Sequence, residues 1–251
     1  MKVLVTFAIE TEFARWRKRT AFRRREAGGA GVYHAQIGHA DVDVALTGVG
    51  LVSARRAMES LMDSSYSLCI SSGFAGGLKS GYAVGDVLVA ESVRTTTESG
   101  ALQCNSEFVG EAEESGARRI ETLLSAEAVV STASQKVALA DIADAVDMES
   151  YAIVAAAQRF NVPALVIRAI SDSFDQDMPM DFSDAISEDG RVHMGTVLRE
   201  VAAHPAMLPG LIRLGRQSNR AAERLADFLT TFIETTDSFA SSSNLLEETA
   251  R

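Results

Sequence analysis

Four acidic residues and one glycine-rich segment carry the chemistry legible in this sequence. Asp172 closes VIRAISD (Val166–Asp172), an apolar run interrupted by Arg168. A carboxyl at the mouth of such a run is partly desolvated. Desolvation favours the neutral acid, which can give a proton to a leaving group. Ser-Asp-Ser at the same place is also good turn or capping chemistry. Glu149, in VDMES (Val146–Ser150), lies between a strand end and a helix. Its carboxylate can accept two charge-assisted bonds from ligand hydroxyls, or it can sit in a first helical turn that favours negative charge. Glu10 and Glu12 follow the first apolar run. Either can polarise a water or serve a helix N-terminus. GFAGGL (Gly73–Leu78) lets backbone approach a ligand closely, and a plain tight turn explains it equally well. It lacks the Gly-Lys-Ser/Thr of a phosphate loop and the spacing of a dinucleotide fingerprint. His34, His39, His193 and His204 show no metal-ligand spacing, so no metal is expected. No serine-nucleophile elbow is present.

The elements that must position these residues follow from periodicity and breakers. Val3–Ile9 reads as a strand and Glu10–Arg19 as a helix. Val32–Ile37 and Val42–Leu46 read as strands around a turn at Gly38–Asp41. TGVG (Thr47–Gly50) leads into a helix to about Met62. Ser67–Ser71 is a strand ending at GFAGGL, and Asp86–Ser92 is another. Thr95–Ala117 is polar and reads as loop. Thr122–Ser131 reads as strand, turn and helix start, and Ala145–Met148 as a short strand. Ser150–Phe160 is a helix stopped by Asn161 and Pro163, and Ala164–Ile170 is a buried strand. An amphipathic helix spans Arg213–Glu234, followed by a polar, frayed tail. Alternating strands and helices imply a three-layer α/β fold, with residues 1–235 as one domain and 236–251 as the tail. Ligands collect at strand carboxyl ends in such folds. Glu10–Glu12, GVG, GFAGGL and RAISD all fall there, as one pocket requires.

The chain has 251 residues, 47% of them hydrophobic, which suffices for a large core. A net charge of −10 argues against nucleic-acid binding. One basic run, Arg15 to Arg25, reads as a solvated helix and turn, or as a patch for an anionic lipid surface or substrate. Cys69 and Cys104 suggest neither a disulfide framework nor a zinc site. The first ten residues read as a strand rather than a signal peptide, and no apolar stretch reaches the length of a membrane span. A cytoplasmic protein is expected.

Taken in order, MKVLVTFAIETE, TGVG with its helix, GFAGGL with VGDVLVAE, VDMES and NVPALVIRAISD resemble the nucleoside phosphorylase/hydrolase superfamily. The methylthioadenosine/S-adenosylhomocysteine nucleosidases are the most similar members, from Met1 to about Ile170. The resemblance implies an α/β sandwich around a distorted mixed sheet, and an enzyme that cleaves the N-glycosidic bond of a purine nucleoside. It implies no cofactor, phosphate as a candidate co-substrate, and a homo-oligomer, either dimer or hexamer. It implies Asp172 as acid to the leaving base and Glu149 as holder of the ribose hydroxyls, with Met148 beneath the sugar. Glu12 matches the group that activates water. Ala75 and Gly76 match a backbone segment lining the pocket, and Arg168 and Ser171 match positions supporting the acid and the sugar region. These roles suit an oxocarbenium-like transition state, in which an ionised Glu149 favours developing positive charge.

Three positions depart from the nucleosidase pattern. Phe74 stands where a Ser helps hold water or phosphate, Leu51 where Lys is usual, and Val129 where an aromatic stacks on the base. The latter half, with AEAVVSTASQKVALA and Asp189–Arg216, resembles the hopanoid-associated phosphorylases, which implies a lipid-linked adenosine as substrate and peripheral lipid contact. Glu12 departs from that pattern. The competing classes are a non-catalytic nucleoside- or lipid-binding member, motivated by Phe74, Leu51 and Val129, and a structural α/β protein.

Overall fold

The computed structural model describes residues 1–27, 30–182, 185, 187, 190 and 193–249. Its chain order begins β1 (Lys2–Phe7), α1 (Glu10–Arg19), β2 (Arg23–Ala27), β3 (Ala30–Ile37), β4 (Ala40–Leu46), α2 (Leu51–Leu61), β5 (Leu68–Gly77) and β6 (Val87–Thr95). It continues with β7 (Ala101–Gln103), α3 (Ser106–Glu114), β8 (Arg118–Ser125), α4 (Ala133–Leu139), β9 (Ala145–Asp147), α5 (Ser150–Arg159) and β10 (Ala164–Asp172). It ends with α6 (Met194–Ala203), a 3₁₀ turn at Pro205–Met207 and α7 (Leu208–Thr249).

The sheet is mixed. β5 pairs in parallel with β1 and β10, and β10 pairs antiparallel with β6. β6, β8 and β9 are parallel neighbours, and β9 returns antiparallel to β5. These five pairings close β5, β9, β8, β6 and β10 into a ring, while β1, β4, β3 and β2 extend as an open wing. All nine residues of β10 are buried. That is why the strand reads as an apolar run broken only by Arg168 before its Ser171–Asp172 end: both faces are covered, by α5 and α7. α2 packs on α5, and α1 packs on α7. α1 is seated by Phe13 and Trp16, which pack against Phe7 and Phe22, while the Trp16 indole N–H donates to Thr230 Oγ1 on α7 at 2.9 Å.

Several expectations need correction. GFAGG is the carboxyl half of β5, not a turn: Ala169–Asp172 pair with Phe74–Gly76 on one side, and Val146 and Ala145 with Gly76 and Gly77 on the other. Thr95–Ala117 is not one loop. It contains β7 and α3, and Asn105 caps α3 by accepting from the N–H groups of Glu107 and Phe108. The last helix begins at Leu208 instead of Arg213 and continues to Thr249, through the stretch expected as a frayed tail. α6 has no counterpart in the sequence reading. Of the Asp189–Arg216 stretch, residues 189, 191 and 192 lie outside the described residues. The basic run is largely paired within the chain. Arg17 meets Glu10, Arg19 meets Asp227, Arg15 meets Glu223, and Arg25, now on edge strand β2, meets Asp43. Among the described residues no helix is long and apolar enough to cross a membrane.

Candidate active site

Arg168 sits in the middle of β10 at 1% exposure, where an unpaired charge would be costly. Its guanidinium is held by polar groups from three elements. Nη1 donates to the Ser72 carbonyl at 2.7 Å. Nη2 donates to Ser71 Oγ at 3.0 Å and Ser150 Oγ at 2.9 Å. Nη2 also lies 2.5 Å from Asp147 Oδ2 and 4.0 Å from Glu149 Oε2. Asp147 is fixed in turn by Ser125 Oγ at 2.6 Å and the Ser150 N–H at 3.1 Å. Gly73 leaves room for this hub. A Cβ there would meet Arg168 Nη1 at 2.3 Å and Glu12 Oε1 at 2.5 Å, on a backbone with φ of +144°.

Glu12 and Glu149 both lie within reach of the Arg168 charge. Glu12 lies in the first turn of α1, and its carboxylate accepts from Ala8 N–H at 2.9 Å, Ile9 N–H at 3.2 Å and Phe74 N–H at 2.8 Å. Burial nonetheless raises its pKa, against the pull of Arg168 and these three N–H groups. Glu149 occupies the N-cap position of α5 but does not cap it. Its side chain reaches across to accept from Gly50 N–H at 2.8 Å, in the TGVG segment. Burial, then the neighbouring Asp147 charge, push the Glu149 carboxyl up to about 8.

These two raised carboxyls set a pH dependence of stability. The folded protein keeps protons that the unfolded chain has already lost, so the contribution is full below the ordinary glutamate value and is lost as pH rises through the folded value. The window runs from about 4.5 to about 8 for Glu149. The melting temperature is therefore expected to decline across it, and Glu149→Gln to flatten the decline. An identical slope in the variant would contradict this assignment.

Asp172 differs from the expectation of a lone desolvated carboxyl. It is 1% exposed, but Lys136 of α4, itself fully buried, places its ammonium 2.5 Å from Oδ2. Ser171 Oγ donates to Oδ1 at 2.7 Å. A carboxyl paired with an ammonium is no longer governed by desolvation alone. α4 reaches this place because Thr132 caps it through the Gln135 N–H, and because Asp177 accepts from the Ala133 N–H at 2.7 Å.

A cavity of about 320 Å³ opens between these groups. It is bordered by Glu12, Phe74, Ala75, Gly76, Met148, Glu149, Ser171 and Asp172, so eight of the nine expected site residues converge. Arg168 does not reach the cavity; it stands behind Glu149 and Asp147 and positions them. The rest of the lining is mostly apolar, including Val49, Val129, Val130, Met178, Phe182 and Leu214. Val129, where an aromatic would stack on a base, does line the cavity. Leu51 is not among its bordering residues. Sequence reading missed Lys136, Asp147 and the apolar contributions of Met178, Phe182 and Leu214. Asp147 carried a signal, two residues before Glu149 at a strand end. Lys136 carried none, since it lies 36 positions before its partner. Among the described residues no group of three or more His, Cys, Asp or Glu is arranged to hold a metal ion.

The chain matches the model of the phosphorylase superfamily over residues 2–203. Among solved structures it is similar to a futalosine hydrolase mutant of Helicobacter pylori, with TM-score 0.72, 17% identity, and 94% of this chain and 99% of that one covered. It is also similar to the 5′-methylthioadenosine/S-adenosylhomocysteine nucleosidase of S. pneumoniae with a transition-state inhibitor, with TM-score 0.71, 21% identity, and coverage of 93% and 99%. The corresponding enzyme of Neisseria meningitidis gives TM-score 0.70, 19% identity, and coverage of 93% and 99%. At these identities the likeness to the solved structures establishes the fold.

Proposed function

This chain belongs to the phosphorylase superfamily, and we propose that it is a nucleosidase that hydrolyses the N-glycosidic bond of a purine nucleoside carrying an apolar 5′-substituent. The observation that carries the reading is one cavity bordered together by Asp172, Glu12 and Glu149. Asp172 serves the base: the proton that the departing purine takes onto its ring nitrogen N7 passes from this carboxyl as C1′–N9 breaks. Glu149 accepts hydrogen bonds from the ribose hydroxyls, and once ionised, as pH rises through its raised value of about 8, its charge favours the oxocarbenium-like transition state. Glu12 takes the proton of the attacking water.

Water is favoured over phosphate by charge. Four carboxyls, Glu12, Asp147, Glu149 and Asp172, border the cavity, and no Lys or Arg does so among the described residues. The cations nearest to it, Arg168 and Lys136, are already engaged with carboxylates. Phosphate needs clustered donors or cations, and Phe74 adds an apolar ring where a hydroxyl would help. The apolar wall of Met178, Phe182 and Leu214 supports a greasy 5′-substituent, of which an alkylthio group and a lipid chain are the candidates.

The test is release of purine from methylthioadenosine, S-adenosylhomocysteine, adenosine and a 5′-alkyl adenosine, each with and without phosphate. Phosphate-independent release, fastest with the apolar 5′-groups, is the expected result. A phosphate requirement would replace hydrolysis by phosphorolysis. Binding without release from any substrate would favour a non-catalytic nucleoside receptor.

A further inference from the structure

We propose that a cavity between α2 and the paired ends of β3 and β4, separate from the candidate active site, binds a phosphate group through Arg56 and Ser53, with Arg24 as a second cation beside it. The cavity measures about 260 Å³. Gly31, Leu46 and Thr47 border it from the sheet, and Ser53, Arg56 and Ser60 border it from α2. It shares no bordering residue with the cavity of Glu12, Glu149 and Asp172. Ser53, Arg56 and Ser60 follow one another at spacings of three and four, so one face of α2 presents them together. A helix face turned to a sheet is ordinarily apolar. Here it carries two hydroxyls and a guanidinium.

Two features point to a ligand rather than to a gap in packing. The first is Ser53, which is 6% exposed and makes no hydrogen bond among the described residues. A buried hydroxyl without a partner is costly. A group that enters the cavity and accepts its hydrogen removes that cost. The second feature is charge. Arg56 has no carboxylate partner among the described residues, whereas the adjacent Arg55 is paired with Glu98. Arg24 is also unpaired there, unlike Arg15, Arg17, Arg19 and Arg25 of the same basic run. Its guanidinium lies beside Gly31, where a Cβ would stand 3.1 Å from Nη2. Among the described residues no carboxyl borders the cavity. In a chain of net charge −10 this is a local reversal of sign. Thr47 is not a donor to the site, because its hydroxyl is engaged with the carbonyls of Phe7 and Gly48. The available donors come from a helix and from an edge strand. Donors from two directions suit a tetrahedral oxyanion better than a planar carboxylate. A guanidinium fork takes two oxygens and a serine hydroxyl takes a third. The clustered donors that phosphate needs are thus gathered here, away from the carboxyl-lined cavity. Inorganic phosphate and a small phosphate monoester share this chemistry.

Thermal shift and isothermal titration with inorganic phosphate, glycerol phosphate and acetate, at one ionic strength and without nucleoside, test the site. Either phosphate should raise the melting temperature saturably, and acetate should not. Tighter glycerol phosphate would mark an organic phosphate as the ligand, and tighter inorganic phosphate the free anion; both support the site. Arg56→Gln should weaken binding about tenfold or more. Arg55→Gln removes the same charge from the same helix and should leave the affinity unchanged. Ser53→Ala should weaken binding without lowering the melting temperature of the ligand-free protein, because its hydroxyl has no partner to lose. No saturable response to either phosphate overturns the proposal, as does an equal response to acetate. Equal weakening in both arginine variants would reduce the effect to general electrostatic attraction and overturn it too. Unaltered affinity in Arg56→Gln would put the anion elsewhere, the active cavity included, with the same consequence. Since no turnover is read, failure here leaves the nucleosidase reading standing.

Discussion

Asp172→Asn is expected to lower turnover of a cleavable purine nucleoside by about 10²- to 10⁴-fold, the range lost when a general acid is removed. The substitution keeps the shape of the side chain and its acceptor oxygen, so Lys136 and Ser171 still find a partner. What it removes is the group that can carry a proton to N7. The Michaelis constant should change far less than the turnover number, because the ribose and 5′-contacts are proposed to come from other residues bordering the cavity, Glu149, Met148 and the apolar wall. Steady-state rates of purine release for variant and wild type give the comparison. An unchanged turnover number would remove Asp172 from the chemistry and leave it a binding residue. The variant also leaves a buried ammonium without a charge partner, so a lower melting point is expected alongside the lost activity.

The second large effect concerns folding. Arg168→Met should destabilise the protein by about 3–5 kcal/mol, because it leaves Asp147 as an uncompensated buried charge. Asp147 would keep its bonds from Ser125 and Ser150 but lose the guanidinium 2.5 Å away. Glu12 and Glu149 would lose the one cation that opposes their desolvation. The double variant Arg168→Met with Asp147→Asn removes both charges, and should recover part of the loss, since the two side chains form one network. Denaturant midpoints of the wild type, both single variants and the double variant measure the coupling. Strict additivity would show that Arg168 acts independently of Asp147.

The physical origin of the site explains which parts were legible. α1 begins at Glu10 and ends at Arg19 as the pattern of Phe13 and Trp16 requires. β10 and α5 follow from an apolar run and from an Ala-rich helix closed by Asn161, whose φ of 56° is the left-handed stop expected after a helix. Near-local rules suffice for these elements because each is fixed by its own side chains. GFAGG failed as a turn because its conformation comes from pairing with β10 and β9, which are distant in sequence. Thr95–Ala117 failed as loop because only a thin apolar face, Val109 and Ala112, distinguishes α3 from its polar surroundings.

The sequence by itself determined which residues could do chemistry. Asp172, Glu149 and Glu12 each end a strand or begin a helix, and the direction of those elements brings such residues to one edge of a sheet. It also placed Phe74 and Val129 where the nucleosidase pattern carries a Ser and an aromatic. Only the tertiary structure decided what state those carboxylates are held in. Lys136 reaches Asp172 from another helix, Arg168 gathers Asp147 and Glu149 from behind the cavity, and Gly50 answers Glu149 across 99 residues. Charge acts through distance in space and through burial. Both are properties of the closed ring of strands and of no segment within it.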